Sequence, residues 1–176
     1  ETILHEIHFA DIAEIMNDLD TSEAIYIFNL LDSEITAEIL LELDDEVREN
    51  ILRSLSAKEI AEELDELDTD DAADIIAELP QSKKAQVISE LEDVEHAKDI
   101  VDLLRYDENT AGGIMAKELV KVNENWNVLT CVKEMRHQAE NVTRVHSIYV
   151  VDDEDRLKGR LSLKDLLTTS TKTQIS

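Results

Sequence analysis

The sequence predicts a mainly α chain with a small α+β part. A superhelical array of short helices fills residues 1–105, and a strand–helix–strand–strand–helix unit fills residues 106–176. Three observations carry this prediction. A 12-residue apolar repeat runs from Thr21 to Glu92. The charge changes abruptly: residues 1–105 hold 31 Asp/Glu against 7 Lys/Arg, whereas residues 106–176 hold 11 against 10. After the adjacent pair Gly112-Gly113 the pattern changes from uniformly helical to one that switches between strand and helix.

The repeat units start at Thr21, Ser33, Asp45, Ala57, Thr69 and Gln81. Their eleventh position is always Leu, and their eighth is always apolar, from Phe28 to Ile88. The seventh is apolar except at Glu63. Such spacing paints one face of a helix. A helix of about nine residues is ~13 Å long and unstable alone, so neighbouring units must cover its stripe. Ser56 with Glu59 reads as a capping box, with Asp20/Glu23 and Asp68/Asp71 as acidic relatives. Pro80 fits a helix boundary. Phe9–Leu19 and Val94–Leu104 read as atypical end repeats.

Most carboxylates fall on outward positions and read as a solvated face. Asp70, Asp71 and Asp74 stand out. Asp70 and Asp74 share a face at a helix start, within reach of a common cation, yet the macrodipole alone also favours acids there. His5 and His8 have a spacing that metal ligands use, but no Cys or third His accompanies them, so they read as a surface pair. A formal charge of −25 disfavours nucleic acid and anionic lipid and attracts cations and basic partners. The lone Cys131 has no disulfide partner in the chain and reads as a buried helix residue. No apolar run is long enough to cross a bilayer. The chain opens on Glu1 inside a helical pattern, which suggests a piece of a longer protein.

Tyr106-Asp107-Glu108-Asn109-Thr110-Ala111-Gly112-Gly113-Ile114-Met115 reads as a joint, because a glycine pair permits sharp turns and close approach. Beyond it, Glu118–Val122 alternates as a strand. Asn127 caps a helix Val128–Gln138. Ser147–Val151 is a buried strand, Asp152–Arg156 a hairpin turn and Leu157–Ser162 the returning strand. Ser162 caps a last helix, Leu163–Leu167. Trp126 covers one edge of this core, and polar Thr168–Ser176 reads as a frayed end or linker.

The order of elements, with Ile148-Tyr149-Val150-Val151-Asp152 and Gly159-Arg160-Leu161-Ser162-Leu163-Lys164-Asp165-Leu166, resembles a CBS motif (named for cystathionine β-synthase). Such motifs work in pairs. A single one implies a partner, either a second motif or a second chain, with a homodimer through the CBS domain expected. In many CBS modules the G-x-x-S/T-x-x-D string contacts an adenine nucleotide such as ATP. It maps onto Gly159, Ser162 and Asp165, with Lys164 adding charge.

The acidic array, the A-G-G-x-M string at Ala111–Met115 and the CBS motif together resemble the cytosolic region of MgtE-type magnesium transporters. The resemblance implies an MgtE N-type domain at 1–105 and a CBS domain at 106–176. It implies Mg2+ ions that hold the two together and favour a closed pore, on the cytoplasmic side of the cell membrane, next to a transmembrane domain. Its ligands map onto Glu38, Asp70, Asp74 and the main chain of Gly113. Ligands from a second CBS motif are missing. Two other readings stay open: an adenine-nucleotide-sensing CBS module with a helical adaptor, and an acidic scaffold for a basic partner. No nucleophile–base pair or phosphate loop suggests an enzyme.

Overall fold

The computed structural model describes residues 4, 7–107, 109–139, 145 and 147–175. Contacts divide the chain into two units, Glu1–Met115 and Ala116–Ser176, so the glycine stretch goes with the helical unit.

The first unit holds α1 (Phe9–Asn17), α2 (Thr21–Phe28), α3 (Ser33–Glu42), α4 (Asp45–Ser54), α5 (Ala57–Leu64), α6 (Thr69–Glu78), α7 (Gln81–Glu90) and α8 (Val94–Leu103). Helices α2 to α7 start at the six predicted unit starts. Two capping boxes form as expected. Asp20 Oδ1 accepts from Ser22 N–H at 2.9 Å and Glu23 N–H at 3.0 Å, and Glu23 reaches back to Asp20 N–H. Ser56 and Glu59 do the same for α5. The third expected relative does not form, because the Asp68 side chain makes no cap bond. Its partner position holds Asp71, one methylene shorter than Glu and of like charge.

Helices pack chiefly on the next but one, except that α4 and α6 are not a main pair. Helix α1 lies on α3, α3 on α5 and α5 on α7, while α2 lies on α4 and α6 on α8. The repeat leucines Leu43, Leu55, Leu67, Leu79 and Leu91 all enter the shared core, with Leu40, Leu52, Leu64 and Ile76 from the eighth position. Three of the unit's few cations serve carbonyls near helix ends. Arg48 donates to Leu43 O at 2.9 Å, Lys83 to Leu52 O and Leu55 O at 2.8 and 2.6 Å, and Lys84 to Ala77 O at 2.7 Å. Helix C-termini favour such charges.

The second unit runs β1 (Val120–Asn123), α9 (Val128–Gln138), β2 (Ile148–Val151), β3 (Leu157–Leu161) and α10 (Leu163–Thr168), the predicted order. The sheet order is β1-β2-β3. Strands β1 and β2 are parallel through the α9 crossover, and β2 and β3 form an antiparallel hairpin with an irregularity at Val150/Val151. Val120, Val122, Val128, Cys131, Ile148, Val150 and Leu166 make its core, with Trp126 packed at the margin. The hairpin turn is held by Asp152, which accepts from Glu154 N–H and Arg156 N–H at 3.0 and 2.9 Å, while Asp155 takes a positive φ of 60°.

The expected frayed end is not frayed over its described residues. Val128 N–H donates to Thr173 O and Leu129 N–H to Thr171 O, while Ile175 N–H donates to Trp126 O. The first N–H groups of a helix lack partners inside it, and this segment supplies them to α9. Ile175 also packs on the second core.

Candidate functional site

The first turn of α6 carries Asp70 and Asp71, with Asp74 one turn later. Asp70 is half-buried and Asp74 exposed. Asp71 shows how crowded this end is: its carboxyl is pushed up to about 6 from 3.8, first by burial, then by Asp70, Asp68, Asp74 and Glu38. Negative charge at a helix start is favoured by the dipole, but four neighbouring carboxylates exceed what one helix end compensates.

A cavity of about 340 Å³ opens beside this helix. Its walls include Asp70, Asp74 and Ala77 of α6, Lys84 of α7, Leu103 of α8, and Tyr106, Asp107, Asn109 and Gly113 of the stretch that follows α8. Three of the four sequence-predicted metal residues, Asp70, Asp74 and Gly113, therefore line one cavity. Glu38, on α3, does not line it, although its charge is felt at Asp71. Sequence reasoning did not single out Tyr106 or Lys84 as parts of this site. Nothing in their local pattern announces it: the packing of α6 on α8 brings Tyr106 there, and Lys84 reaches it from α7 through its bond to Ala77 O.

The stretch itself is a run of hydrogen-bonded turns. Thr110 N–H and Oγ1 donate to Asp107 O at 2.9 and 2.7 Å, and Gly113 N–H donates to Thr110 O at 3.0 Å. Asp107 Oδ1 accepts from Asn109 N–H at 3.0 Å. No described glycine takes a positive φ, so the sharp turn expected of the pair is not its use. Gly112 is required for space instead: a Cβ there would enter the Tyr106 ring.

The donor set suits a hard cation. Carboxylates, an amide and main-chain oxygen are present, and Mg2+ is usually held by one or two carboxylates plus water rather than by a protein cage. Among the described residues, no group of three or more His, Cys, Asp or Glu is placed to hold a metal alone. His8 is used locally: its Nδ1 accepts from Ala10 N–H at 3.3 Å and its ring lies on Phe9, while His5 lies outside the described residues.

In the second unit, Ser162 and Asp165 bond each other. Ser162 Oγ accepts from Asp165 N–H at 3.0 Å and donates to Asp165 Oδ2 at 2.7 Å. Lys164 is exposed. Gly159 pairs with Val150, and a Cβ at Gly159 would meet no atom within 4 Å. Ser162 and Asp165 serve the cap of α10 in this structure, and the space over Gly159 is open.

Comparison with known proteins places both units. Residues 7–109 match the MgtE intracellular N domain, and residues 111–171 match the CBS domain. The magnesium transporter MgtE of Thermus thermophilus is 36% identical over 91 residues, a match spanning 47% of this chain and 20% of that protein. The magnesium transporter MgtE of Enterococcus faecalis is 37% identical over 82 residues, spanning 47% of this chain and 18% of that protein. The matched segment is thus about a fifth of the length of these curated relatives. A crystal structure of the cytosolic domain of the Mg2+ channel MgtE in complex with ATP superposes with a TM-score of 0.88 at 32% identity, covering 99% of this chain and 71% of that one. The soluble part of a magnesium transporter gives a TM-score of 0.62 at 29% identity, covering 96% and 75%. An acidic helical array, a cavity of hard oxygen donors at its last helices and a following βαββα unit agree with these matches: the chain belongs to the MgtE family, as an MgtE intracellular N domain followed by a CBS domain.

Proposed function

We propose that this chain is the Mg2+-sensing regulatory part of a magnesium transporter, and that Mg2+ draws the anionic N domain toward the CBS domain to favour a closed pore. The observation that carries the reading is the meeting of Asp70, Asp74 and Gly113 at one cavity. Bound Mg2+ would supply positive charge there. Asp70 and Asp74 would offer carboxylate oxygens, and Gly113 main-chain oxygen. Glu38 would serve a separate ion. An anionic surface closes on its neighbour only when cations offset the repulsion, so closure reports cation concentration. In the whole transporter this region would lie on the cytoplasmic side, next to the transmembrane domain. Among the described residues, no helix is long and apolar enough to cross a membrane. A homodimer through the CBS domain fits the uncovered apolar side chains Leu157 and Leu167.

The test is a melting curve in MgCl2 against NaCl of equal ionic strength. With magnesium at about ten times its dissociation constant, linkage adds about 1.4 kcal/mol beyond the salt control. Asp74→Ala removes that extra gain, and Glu14→Ala, on an exposed face of α1, keeps it. Equal gains from both salts would leave plain charge screening as the explanation.

A second reading, ATP binding at the CBS unit, draws on the relative solved in complex with ATP and on the open space over Gly159. Adding ATP without magnesium to the same melt reads it directly. No shift at millimolar ATP would exclude it.

A further inference from the structure

We infer that Tyr106 is a positioning residue for the cation cavity: its ring, seated on Gly112, holds the Gly112-Gly113 main chain at the cavity wall. The inference rests on the magnesium reading above and names what keeps one of its ligand groups in place.

Three observations lead to it. Tyr106 and Gly113 both line the cavity that Asp70 and Asp74 line. The ring lies so close to Gly112 that the space of a Cβ is already taken by its Cδ1 and Cγ atoms. Gly112 has no positive φ, so its backbone conformation is one that any residue adopts, and the ring is what excludes a side chain.

The chain around this contact explains why a latch is needed. Tyr106 is tied to the end of α8 through its N–H to Leu103 O at 3.0 Å. Beyond it the backbone is held by its own turns, ending with Gly113 N–H on Thr110 O. Those bonds fix the shape of the loop. They do not fix where the loop stands relative to α6, and the loop's tip is polar and exposed. On the far side Met115 packs on the first core, and on the near side the aromatic ring supplies the restraint at Gly112. It packs flat area on a bare backbone, with few rotatable bonds to freeze. A carbonyl ligand contributes to cation affinity only if it is already in place, because a hard cation such as Mg2+ tolerates little error in ligand geometry.

The contact offers a direct test, since it can be broken from either side. The readout is the Mg2+ midpoint in circular dichroism melts of the intact chain at matched ionic strength, with amide exchange at Gly113 as a metal-free measurement. Tyr106→Ala and Gly112→Ala each raise the midpoint by roughly tenfold, as loss of an outer-shell support does. Tyr106→Phe, which keeps the ring, stays near wild type. The double variant is no worse than Tyr106→Ala, because the added methyl enters the space the ring has left. Gly113 exchanges faster in both alanine variants in chelator. Midpoints within twofold of wild type, together with unchanged exchange at Gly113, would overturn the inference while leaving the magnesium reading intact. A wild-type chain without a magnesium-specific gain would overturn both.

Discussion

Glu63 stands where the other five repeats place Ile or Val, and the structure shows how the array accommodates it. The residue is 9% exposed, and Thr36 Oγ1, itself buried on α3, donates to Glu63 Oε2 at 2.6 Å. Among the described residues, no cation is among the groups that shift the Glu63 carboxyl. Burial is the main cause that pushes the carboxyl up to about 7 from 4.5; the Thr36 bond opposes it, and Glu62 and Glu66 add to it. The folded state therefore holds this proton more tightly than the unfolded chain. The resulting stabilisation is complete below the unfolded value of 4.5 and is lost as pH rises through about 7. Its size is at most about 3 kcal/mol. Glu63→Gln keeps an acceptor for Thr36 and removes the charge. Urea unfolding of that variant at about pH 8 should show a gain of roughly 1–3 kcal/mol over wild type, shrinking toward zero near about pH 4.5. A variant less stable than wild type at the higher pH would mean that the charge itself is favourably held.

At the scale of the helix, three cations of the first unit, Arg48, Lys83 and Lys84, serve carbonyls. Lys83 bonds two carbonyls at the end of α4, and its ammonium is held below its usual range chiefly by burial. Lys58 lies on the surface of α5 in an exposed pair with Glu62 at 3.2 Å. Lys83→Met should cost about 1–2 kcal/mol in a denaturant titration, and Lys58→Met under about 0.5 kcal/mol. Similar costs at the two sites would mean that the cap does not matter. Helix starts were legible in the sequence because the fixed apolar spacing marks each unit, with a side-chain cap adding to it at Asp20 and Ser56. What Glu63 touches was not, since Thr36 lies in another repeat. The end of the chain was misread for a related reason: its polar residues carry no local pattern, and their backbone bonds go to a helix N-terminus over forty residues upstream. The candidate site divides the same way. Asp70 and Asp74 declare their shared face by spacing, but their meeting with Tyr106 depends on α6 lying on α8, and that with Lys84 on α7 folding back beside α6.

For the whole molecule, charge and core are partitioned together. The two hydrophobic cores share no residue. Nearly all of the net charge of −25 lies in residues 1–105. Self-repulsion of this kind weakens as salt screens it. Far-UV circular dichroism is dominated by the helical unit, whereas the single Trp126 reports the second core. Raising NaCl from about 0.01 to about 0.15 M, which shortens the screening length from ~30 to ~8 Å, should move the dichroism transition upward and leave the Trp126 fluorescence transition in place. Equal movement of both would show that the charge is not confined in its effect. The packing of α1, α3, α5 and α7 in one row, with the pairs α2/α4 and α6/α8 beside it, has a consequence for lineage and engineering. Excising a single twelve-residue unit upstream of α6 would transpose the two rows from that point on and turn the aspartate-bearing turn to the opposite flank. Removing two would restore the alternation, so such an array lengthens and shortens in doublets.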